Sequence, residues 1–202
     1  MDQARRGLRS ISPDPSRTYT SDEDQRLAEN LRTITTRVYA GEFLREPLAT
    51  KLLCFFHEQF FKGVRPHAGK HRSSEYGTEF LSFGPNRSLP RAQVPEALAR
   101  VFAKVQTSVA SFDANLTDRS YDESALRLAA WTHAEHIRIH PFEDGNGRTC
   151  RLFMNSILIR VGLRPIQFEV PKQEYLNCLN WYYATGDIRP LEALCLRIYP
   201  VA

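Results

Sequence analysis

The sequence predicts a mostly α-helical protein with one small β-hairpin. Apolar residues recur at helical spacing in most longer segments, whereas short β-prone pieces occur around Gly84-Pro85-Asn86. A length of 202 residues allows one domain with a sizeable core, and 42% hydrophobic with 25% charged residues is an ordinary globular composition. We therefore expect a helical bundle that folds without disulfides or a structural metal ion.

The chain divides into three predicted parts. Residues 1–20 are polar and rich in proline and serine, which predicts a flexible leader. Residues 21–44 carry a first helix that starts at Ser21, a typical capping residue. Residues 45–199 form the main domain, with a hairpin around Thr78–Phe83 and helices in the segments EPLATKLLCFFHEQFFKG, VPEALARVFAKVQTSVASF, YDESALRLAAWTHAEHIRI, RTCRLFMNSILIRVGL, KQEYLNCLNWYYATG and RPLEALCLRIY.

Charge and cysteine usage exclude several classes of protein. The net charge of +4 is modest and the arginines are scattered, so we expect no nucleic-acid partner. No signal peptide and no apolar run of roughly 18 residues is present, so we expect no membrane partner. The four cysteines form no CxxC pair, which favours buried free thiols in a reducing, cytoplasmic location.

The chemistry of the chain is concentrated in the stretch HPFEDGNGR, residues 140–148, between two predicted helices. A Gly-Asn-Gly-Arg loop that opens a helix presents unpaired backbone N–H groups and the positive end of the helix dipole. Arg148 and Arg151 lie three positions apart and share a helix face, where they can reach further phosphates. The loop therefore predicts a polyphosphate site.

Two side chains of the same stretch suit group transfer. The carboxylate of Asp144 is a ligand of the kind that Mg²⁺ takes when it also bridges phosphate oxygens. The imidazole of His140 titrates near neutral pH and can accept a proton from an attacking hydroxyl. A base, a metal ligand and a phosphate clamp are thus predicted within one loop.

The run HAEHIRIH also allows a zinc interpretation, because His133, His136 and His140 recur at helical spacing. No HExxH arrangement is present and a fourth ligand is undefined. We prefer to assign His140 as a base and to regard His133 and His136 as partly buried, hydrogen-bonded helix residues.

The stretch HPFEDGNGRTCR resembles the signature of the Fic family, His-x-Phe-x-Asp/Glu-Gly-Asn-Gly-Arg-x-x-Arg, at every defining position. GVRPHAGKHR is similar to the Ala-Gly-x-x-Arg segment before the family's flap, TEFLSFGPNRSLPRAQVPEAL lies where the flap belongs, and ATGDIRPLEAL is similar to the closing helix pair. The resemblance covers roughly residues 45–199. It implies the Fic fold, a helical bundle around the motif loop and helix with a small hairpin flap.

The resemblance implies a protein adenylyltransferase that transfers AMP from ATP to a Ser, Thr or Tyr hydroxyl of a target protein. His140 would deprotonate the hydroxyl, Asp144 would hold Mg²⁺ or Mn²⁺, and Phe142 would anchor the loop. The implied ATP-binding residues are Gly145, Asn146, Gly147, Arg148 and Arg151 for the phosphates, and Tyr175 and Asn180 for the nucleoside.

The implied flap binds the target segment as an added strand. Phe80, Leu81 and Phe83 are the candidate target-clamping residues, and apolar packing under the hairpin is the alternative role for them.

Members of the family are commonly restrained by a helix that carries Ser/Thr-x-x-x-Glu-Gly/Asn. Here Glu29 and Asn30 match, whereas Gln25 departs from the pattern. Segment 21–44 is therefore a candidate inhibitory helix in which Glu29 would pair with Arg151, and an exposed helix glutamate is the alternative. A separate small inhibitor protein, as in toxin–antitoxin pairs, and self-modification are further expectations.

Two other functions fit the sequence. The same site could transfer another nucleotide or remove AMP from a modified target. Outside enzymes, the chain could be a toxin or interaction module that only binds nucleotide.

Overall fold

The protein is a helical bundle with one short hairpin, as the sequence predicts. A computed structural model describes residues 19–73, 77–112 and 119–199. In these ranges it contains seven α-helices: α1 (Ser21–Tyr39), α2 (Thr50–Phe61), α3 (Val94–Ala110), α4 (Arg119–Ile139), α5 (Asn146–Arg160), α6 (Lys172–Thr185) and α7 (Arg189–Ile198). Strands β1 (Ser82–Phe83) and β2 (Asn86–Arg87) form the hairpin, and a 3₁₀ helix (Arg91–Gln93) leads from it into α3.

The first helix begins at Ser21 as predicted, but its N-cap lies one residue earlier than predicted. Thr20, and not Ser21, is the N-cap: the Glu23 N–H donates to Thr20 Oγ1 at 3.3 Å, and the Thr20 N–H donates to the Glu23 carboxylate at 2.9 Å. This reciprocal pair satisfies two amides that the helix itself cannot bond. Tyr19 and Thr20 thus belong to the folded part, and the rest of the predicted leader, residues 1–18, lies outside the described residues.

Helix α5 is the centre of the bundle because it is apolar around most of its circumference. On one side it packs with α1, α2 and α3 in a cluster that includes Ile34, Phe56, Val101, Phe153 and Ile157. On the other side it packs with α4, α6 and α7 in a cluster that includes Leu126, Met154, Leu158, Leu179 and Leu191. The first turn of α5, which carries the motif, is thereby held in a fixed place between the two halves of the core.

Within the described ranges, no helix is both long and apolar enough to cross a membrane.

The hairpin is shorter than the predicted segment Thr78–Phe83. Its strands pair antiparallel with Ser82 opposite Arg87 and Phe83 opposite Asn86, and Gly84 turns the chain with φ of 59°. Beyond the strands, the Ser88 N–H donates to the Leu81 carbonyl at 2.9 Å. The chain bends at Gly77 and Glu79, and the arm of the flap, from Glu79 to Leu81, continues alongside the returning chain next to the motif loop.

All four cysteines are free thiols, as expected. Cys150 and Cys195 are buried, whereas Cys54 and Cys178 are only half-buried. Burial raises the pKa of Cys54 to about 11 and that of Cys195 to about 12, so these thiols stay protonated and unreactive at neutral pH.

Candidate active site

The motif loop joins the end of α4 to the start of α5 through two turning points. His140 has a φ of 53° in the left-handed region, while its N–H still donates to the His136 carbonyl at 2.9 Å. Gly145, directly before α5, has a φ of 71°, and a Cβ there would lie 2.4 Å from Cε2 of Phe61. Only glycine fits at position 145, because both the backbone conformation and the available space exclude a side chain there.

Phe142 and Asn146 close the loop on itself. The Phe142 N–H donates to Asn146 Oδ1 at 2.9 Å, and Asn146 Nδ2 donates to the Phe142 carbonyl at 2.7 Å. The Phe142 ring is fully buried and stacks on His57 with a centroid distance of 3.9 Å. Phe142 therefore lies where an anchor is expected. The Asn146 amide, which we expected to face a phosphate, is occupied within the loop, because the buried main chain of Phe142 needs its hydrogen bonds.

The N-terminus of α5 has the properties of an anion site. No side chain caps it, so the amides of its first turn, including that of Gly147, lack a capping acceptor. The Arg148 guanidinium lies over the Phe60 ring at 4.4 Å, and its Nη2 is 3.7 Å from Asp144 Oδ1. Helix dipole and guanidinium together favour a bound anion here.

Arg151 adds a second cation one turn further along α5. It is only part-exposed, and burial is the main reason why its pKa lies below the ordinary arginine value. Within the described ranges no carboxylate forms an ion pair with it. A desolvated guanidinium without a carboxylate partner stabilises a phosphate that approaches it.

Asp144 is in contact with the segment that precedes α1. The Tyr19 hydroxyl donates to Asp144 Oδ2, and the Gly145 N–H donates to Oδ1 at 2.5 Å. Arg65 lies over the Tyr19 ring at 4.4 Å. Burial, followed by the hydrogen bond to Asp144, raises the pKa of Tyr19 to about 12, so the hydroxyl stays protonated as a donor. Tyr19 thus covers the predicted metal ligand.

His57 fixes the main chain of Asp144. The Gly69 N–H donates to His57 Nδ1 at 2.9 Å, so the proton of the neutral ring is on Nε2, which donates to the Asp144 carbonyl at 3.1 Å. Burial lowers the pKa of His57 to about 3, which keeps the ring neutral and this tautomer in place.

The site fits a metal ion that is shared with phosphates and does not fit one held by protein alone. In the described part of the chain, no group of three or more His, Cys, Asp or Glu side chains is arranged to hold a metal ion. Asp144 supplies one carboxylate beside the anion-binding end of α5. Mg²⁺ commonly takes one or two carboxylates and completes its shell with waters and phosphate oxygens.

His140 is oriented by its neighbours on two sides. A hydrogen bond of 3.2 Å joins His140 Nδ1 to the Ile137 carbonyl, so Nδ1 carries the proton and Nε2 the lone pair. The Phe83 ring stacks on the imidazole with a centroid distance of 4.6 Å and an interplanar angle of 6°. Phe83 in turn meets Tyr183 edge-on at 5.9 Å. This geometry suits His140 to act as a base through Nε2.

Arg72 connects the flap to the motif loop. Its guanidinium is buried, with 1% exposure, and donates to the carbonyls of His140 at 2.7 Å and Ile139 at 2.9 Å. The same group donates to three carbonyls of the flap and the chain after it: Thr78 at 3.2 Å, Glu79 at 3.0 Å and Leu89 at 2.5 Å. The left-handed turn at His140 is therefore held by bonds from outside the loop.

The three flap candidates lie in different surroundings. Phe83 contacts His140, whereas the Phe80 ring lies under the Arg87 guanidinium at 3.6 Å. Leu81 is half-buried and pairs through its main chain with Ser88. Of the three, Phe83 is the residue in contact with the predicted base.

The two nucleoside candidates are engaged elsewhere. Tyr175 is buried in the second core cluster, and its hydroxyl forms a 2.7 Å hydrogen bond with His133 Nε2. Asn180 accepts a hydrogen bond of 2.6 Å from Asn86 Nδ2, which joins α6 to the tip of the flap. Both side chains already have protein partners, so their role toward a nucleoside stays a prediction.

Glu29 is not joined to Arg151 in this structure. It is exposed and accepts a 3.2 Å hydrogen bond from Gln25 on the outer face of α1. Asn30 docks α1 onto the end of α2, because its Nδ2 donates to the carbonyls of Phe60 at 3.0 Å and Lys62 at 2.9 Å. The arrangement matches the alternative of an exposed helix glutamate.

His133 and His136 are fully buried, where we expected partial burial. His133 has the expected hydrogen bond, with Tyr175. Neither ring nitrogen of His136 has a hydrogen-bond partner among the described residues, because aromatic rings surround it: Phe102 and Phe153 both lie 5.3 Å away.

These buried rings predict loss of stability in acid. Burial lowers the pKa of His57, His133 and His136 to about 3, from an ordinary value of 6.5. Below about pH 6.5 each ring binds a proton once the protein unfolds, and this favours the unfolded state. The free energy of unfolding is therefore unaffected by these rings above about pH 6.5, and each ring lowers it by roughly 1.4 kcal/mol per pH unit as the pH drops towards 3. In His136→Leu, we expect the free energy of unfolding to decline less steeply between pH 6.5 and 4, because one of the three buried imidazole rings is absent. Urea denaturation across this range measures it, and an unchanged slope would contradict the burial of a neutral His136.

Sequence reasoning missed four residues of the site: Tyr19, His57, Arg72, and Glu143, whose carboxylate accepts a hydrogen bond from the Thr78 N–H of the flap. Arg72 could have been found, because it is the arginine of the quoted Ala-Gly-x-x-Arg segment. The exposure of Glu29 could also have been predicted from the helical periodicity of α1, since Glu29 lies about 200° around the helix from the buried Leu27.

Comparisons with known proteins identify the family and the fold of the chain. A sequence model of the Fic/DOC family matches residues 47–158, more than half of the chain. The chain is 46% identical over 69 residues to the protein adenylyltransferase Fic of Nematostella vectensis and 42% identical over 77 residues to that of Culex quinquefasciatus. These alignments cover 32% and 36% of this chain, and the chain spans 15% of the length of each relative.

The solved structures include a close match in shape. The BepC protein of Bartonella tribocorum, a VirB-translocated effector with bound AMPPNP, superposes with a TM-score of 0.67 at 17% identity. The match covers 98% of this chain and 95% of that chain. Helical bundle, motif loop and flap together define the Fic fold. The chain belongs to the Fic/DOC family.

Proposed function

We propose that this protein is a nucleotidyltransferase that moves AMP from ATP to a Ser, Thr or Tyr hydroxyl of a target protein. The observation that carries the proposal is that His140 lies in the same short loop, six residues before an uncapped helix N-terminus with two arginines on its first turns. A base and an anion site so close together suit attack on a phosphate better than binding alone.

The transfer step needs one proton acceptor. His140 Nε2 takes the proton of the target hydroxyl, whose oxygen forms a bond to the α-phosphorus of ATP. The bond from that phosphorus to the bridging oxygen breaks, and pyrophosphate leaves with the bonding electrons. Phe83 and the Ile137 carbonyl keep the ring aimed during this step.

The remaining residues of the loop bind and neutralise charge. The amides of Gly147 and its neighbours hold phosphate oxygens, and Arg148 and Arg151 pair with the outer phosphates. Asp144 would hold Mg²⁺ or Mn²⁺, which when bound neutralises phosphate charge. Phosphoryl chemistry of this kind depends mainly on positioning and charge stabilisation.

The family relatives support a nucleotide donor. Two similar chains carry the name protein adenylyltransferase, and BepC was solved with the ATP analogue AMPPNP. The target, self-modification, a small inhibitor protein and a cytoplasmic location stay predictions.

Parallel labelling with α-³²P-ATP and γ-³²P-ATP tests the proposed function. With Mg²⁺ and a cell lysate or the protein itself as acceptor, we expect label to stay on protein from the α position only. Retention of γ-label would indicate phosphate transfer. If nucleotide binds but no α-label is retained, another nucleotide donor, AMP removal or a binding module takes the place of this proposal.

The contact between Tyr19 and Asp144 gives a prediction for metal-dependent nucleotide binding. Tyr19→Phe removes a hydrogen bond that competes with a cation for the Asp144 carboxylate. We expect the Mg²⁺ concentration that half-saturates binding of a fluorescent ATP analogue to fall about fivefold, the value of one ordinary hydrogen bond. Glu29→Gly, at an exposed position of the helix that follows Tyr19, is the control and should leave the Mg²⁺ dependence unchanged. Equal Mg²⁺ dependence of wild type and Tyr19→Phe would show that Tyr19 does not compete.

A further inference from the structure

Glu143 occupies a position that the family signature leaves open, and it holds the flap. Its Oε1 accepts a 2.6 Å hydrogen bond from the Thr78 N–H, and its Oε2 accepts one of 2.7 Å from Thr78 Oγ1. Both bonds are charge-assisted and lie at the exposed rim of the site. Through them the motif loop holds the start of the flap from a point three residues after His140.

The arm of the flap has an inner edge that is already paired. The carbonyl of Glu79 accepts from the Arg91 N–H at 3.0 Å, and that of Leu81 accepts from the Ser88 N–H at 2.9 Å. In an extended chain the main-chain groups of successive residues face opposite edges. Phe80, which lies between them, therefore presents its own to the outer edge, whereas the chain bends at Glu79 before it reaches Thr78.

Thr78, two residues before Phe80, has no main-chain group left for an added strand. The Thr78 N–H bonds to Glu143, and its carbonyl accepts from Arg72 at 3.2 Å. The main-chain N–H and carbonyl of Phe80 form no hydrogen bond with any described residue. An extended segment can add to this edge only from Phe80 onward.

We propose that Glu143 is a positioning residue for the acceptor in the transfer reaction. By occupying Thr78 it fixes where an extended acceptor segment starts to pair, and hence which of its side chains reaches His140. This inference rests on the proposed function, and it adds that Glu143 sets the register in which the acceptor segment pairs with the flap. Loss of the contact lets the acceptor slip by two residues, since that shift keeps the same face towards the site.

Peptides provide a direct test. The probe is a set of fluorescent decapeptides of β-prone sequence without serine or threonine, each with one tyrosine at a different position. Fluorescence polarisation without ATP gives the dissociation constants, and mass spectrometry after incubation with Mg-ATP gives the modified tyrosine. For the wild type we expect binding, with one tyrosine position clearly preferred.

Glu143→Ala should weaken peptide binding roughly tenfold and spread modification to positions two residues away, with the KM for ATP unchanged. Glu143→Gln should recover most of the preference, because its amide oxygen still accepts from the Thr78 N–H. Glu79→Ala is the matched control: it removes a carboxylate of the same flap that pairs with Arg91 at 3.0 Å and not with Thr78. It should leave register and affinity unchanged.

The outcomes separate the two proposals. If Glu143→Ala and Glu79→Ala have the same affinity and register, or if the wild type binds none of the peptides, the role of Glu143 is overturned. If peptides bind with the expected dependence on Glu143 but gain no AMP, the proposed function fails while Glu143 still sets the docking of an extended segment. A parallel rise in the KM for ATP would reduce Glu143 to a structural residue of the loop.

Discussion

His140→Ala should lower AMP transfer by about a thousandfold while ATP still binds. The loss follows from the removal of the proposed base, since general-base catalysis supplies about 10²–10⁴ in rate. Nucleotide affinity should persist because the anion site consists of the α5 amides and two arginines. Initial rates with α-³²P-ATP, together with fluorescent nucleotide binding, measure both quantities.

The matched control is His71→Ala. His71 is a half-buried histidine outside the motif whose Nδ1 contacts the Ser73 hydroxyl. It should retain the wild-type transfer rate. A folded His140→Ala protein that keeps more than a tenth of the activity would rule out the assignment of His140 as the base.

The chemistry of the motif could be predicted because it is contiguous. A loop that carries His140, Asp144 and Arg148 within nine residues predicts acid–base and anion-binding groups without knowledge of the fold. Helical periodicity likewise placed the motif between two helices, and the structure confirms this arrangement. Local spacing thus determined both the elements and the groups that could react.

The supporting contacts could not be predicted in the same way. Arg72, His57 and Glu143 act on main-chain groups 65 to 87 positions away, and any residue type can supply such a group. Tyr19 reaches Asp144 across 125 positions. A hydrogen bond to the main chain leaves no trace in the partner's side chain, so only the folded structure identifies it.

Asn146 illustrates the limit within the motif itself. The sequence places it in the anion loop, but its amide satisfies the buried main chain of Phe142. A buried peptide group without a partner costs free energy, and a side chain that can both donate and accept is suited to satisfy it. The structural requirement takes precedence here over direct phosphate contact.

Arg72→Gln should lower the free energy of unfolding by about 3–5 kcal/mol, the largest effect on stability that we expect from one substitution in this protein. Five carbonyls on two separate segments depend on the Arg72 guanidinium. A glutamine is too short to reach both segments and leaves buried acceptors without donors. Because these bonds also hold the left-handed turn at His140, the motif loop and the flap should loosen together.

Chemical denaturation followed by circular dichroism measures this loss, with Arg100→Gln as the matched control. Arg100 pairs with Glu96 on the exposed face of α3, where an ion pair contributes little, so we expect a change of less than about 0.5 kcal/mol. Arg72→Lys keeps the charge but not the fork of donors, and it should fall between wild type and Arg72→Gln. Equal stability of Arg72→Gln, Arg72→Lys and Arg100→Gln would contradict this prediction. It would mean that the carbonyls around Arg72 find other donors and that Arg72 is not needed to join the flap to the turn at His140.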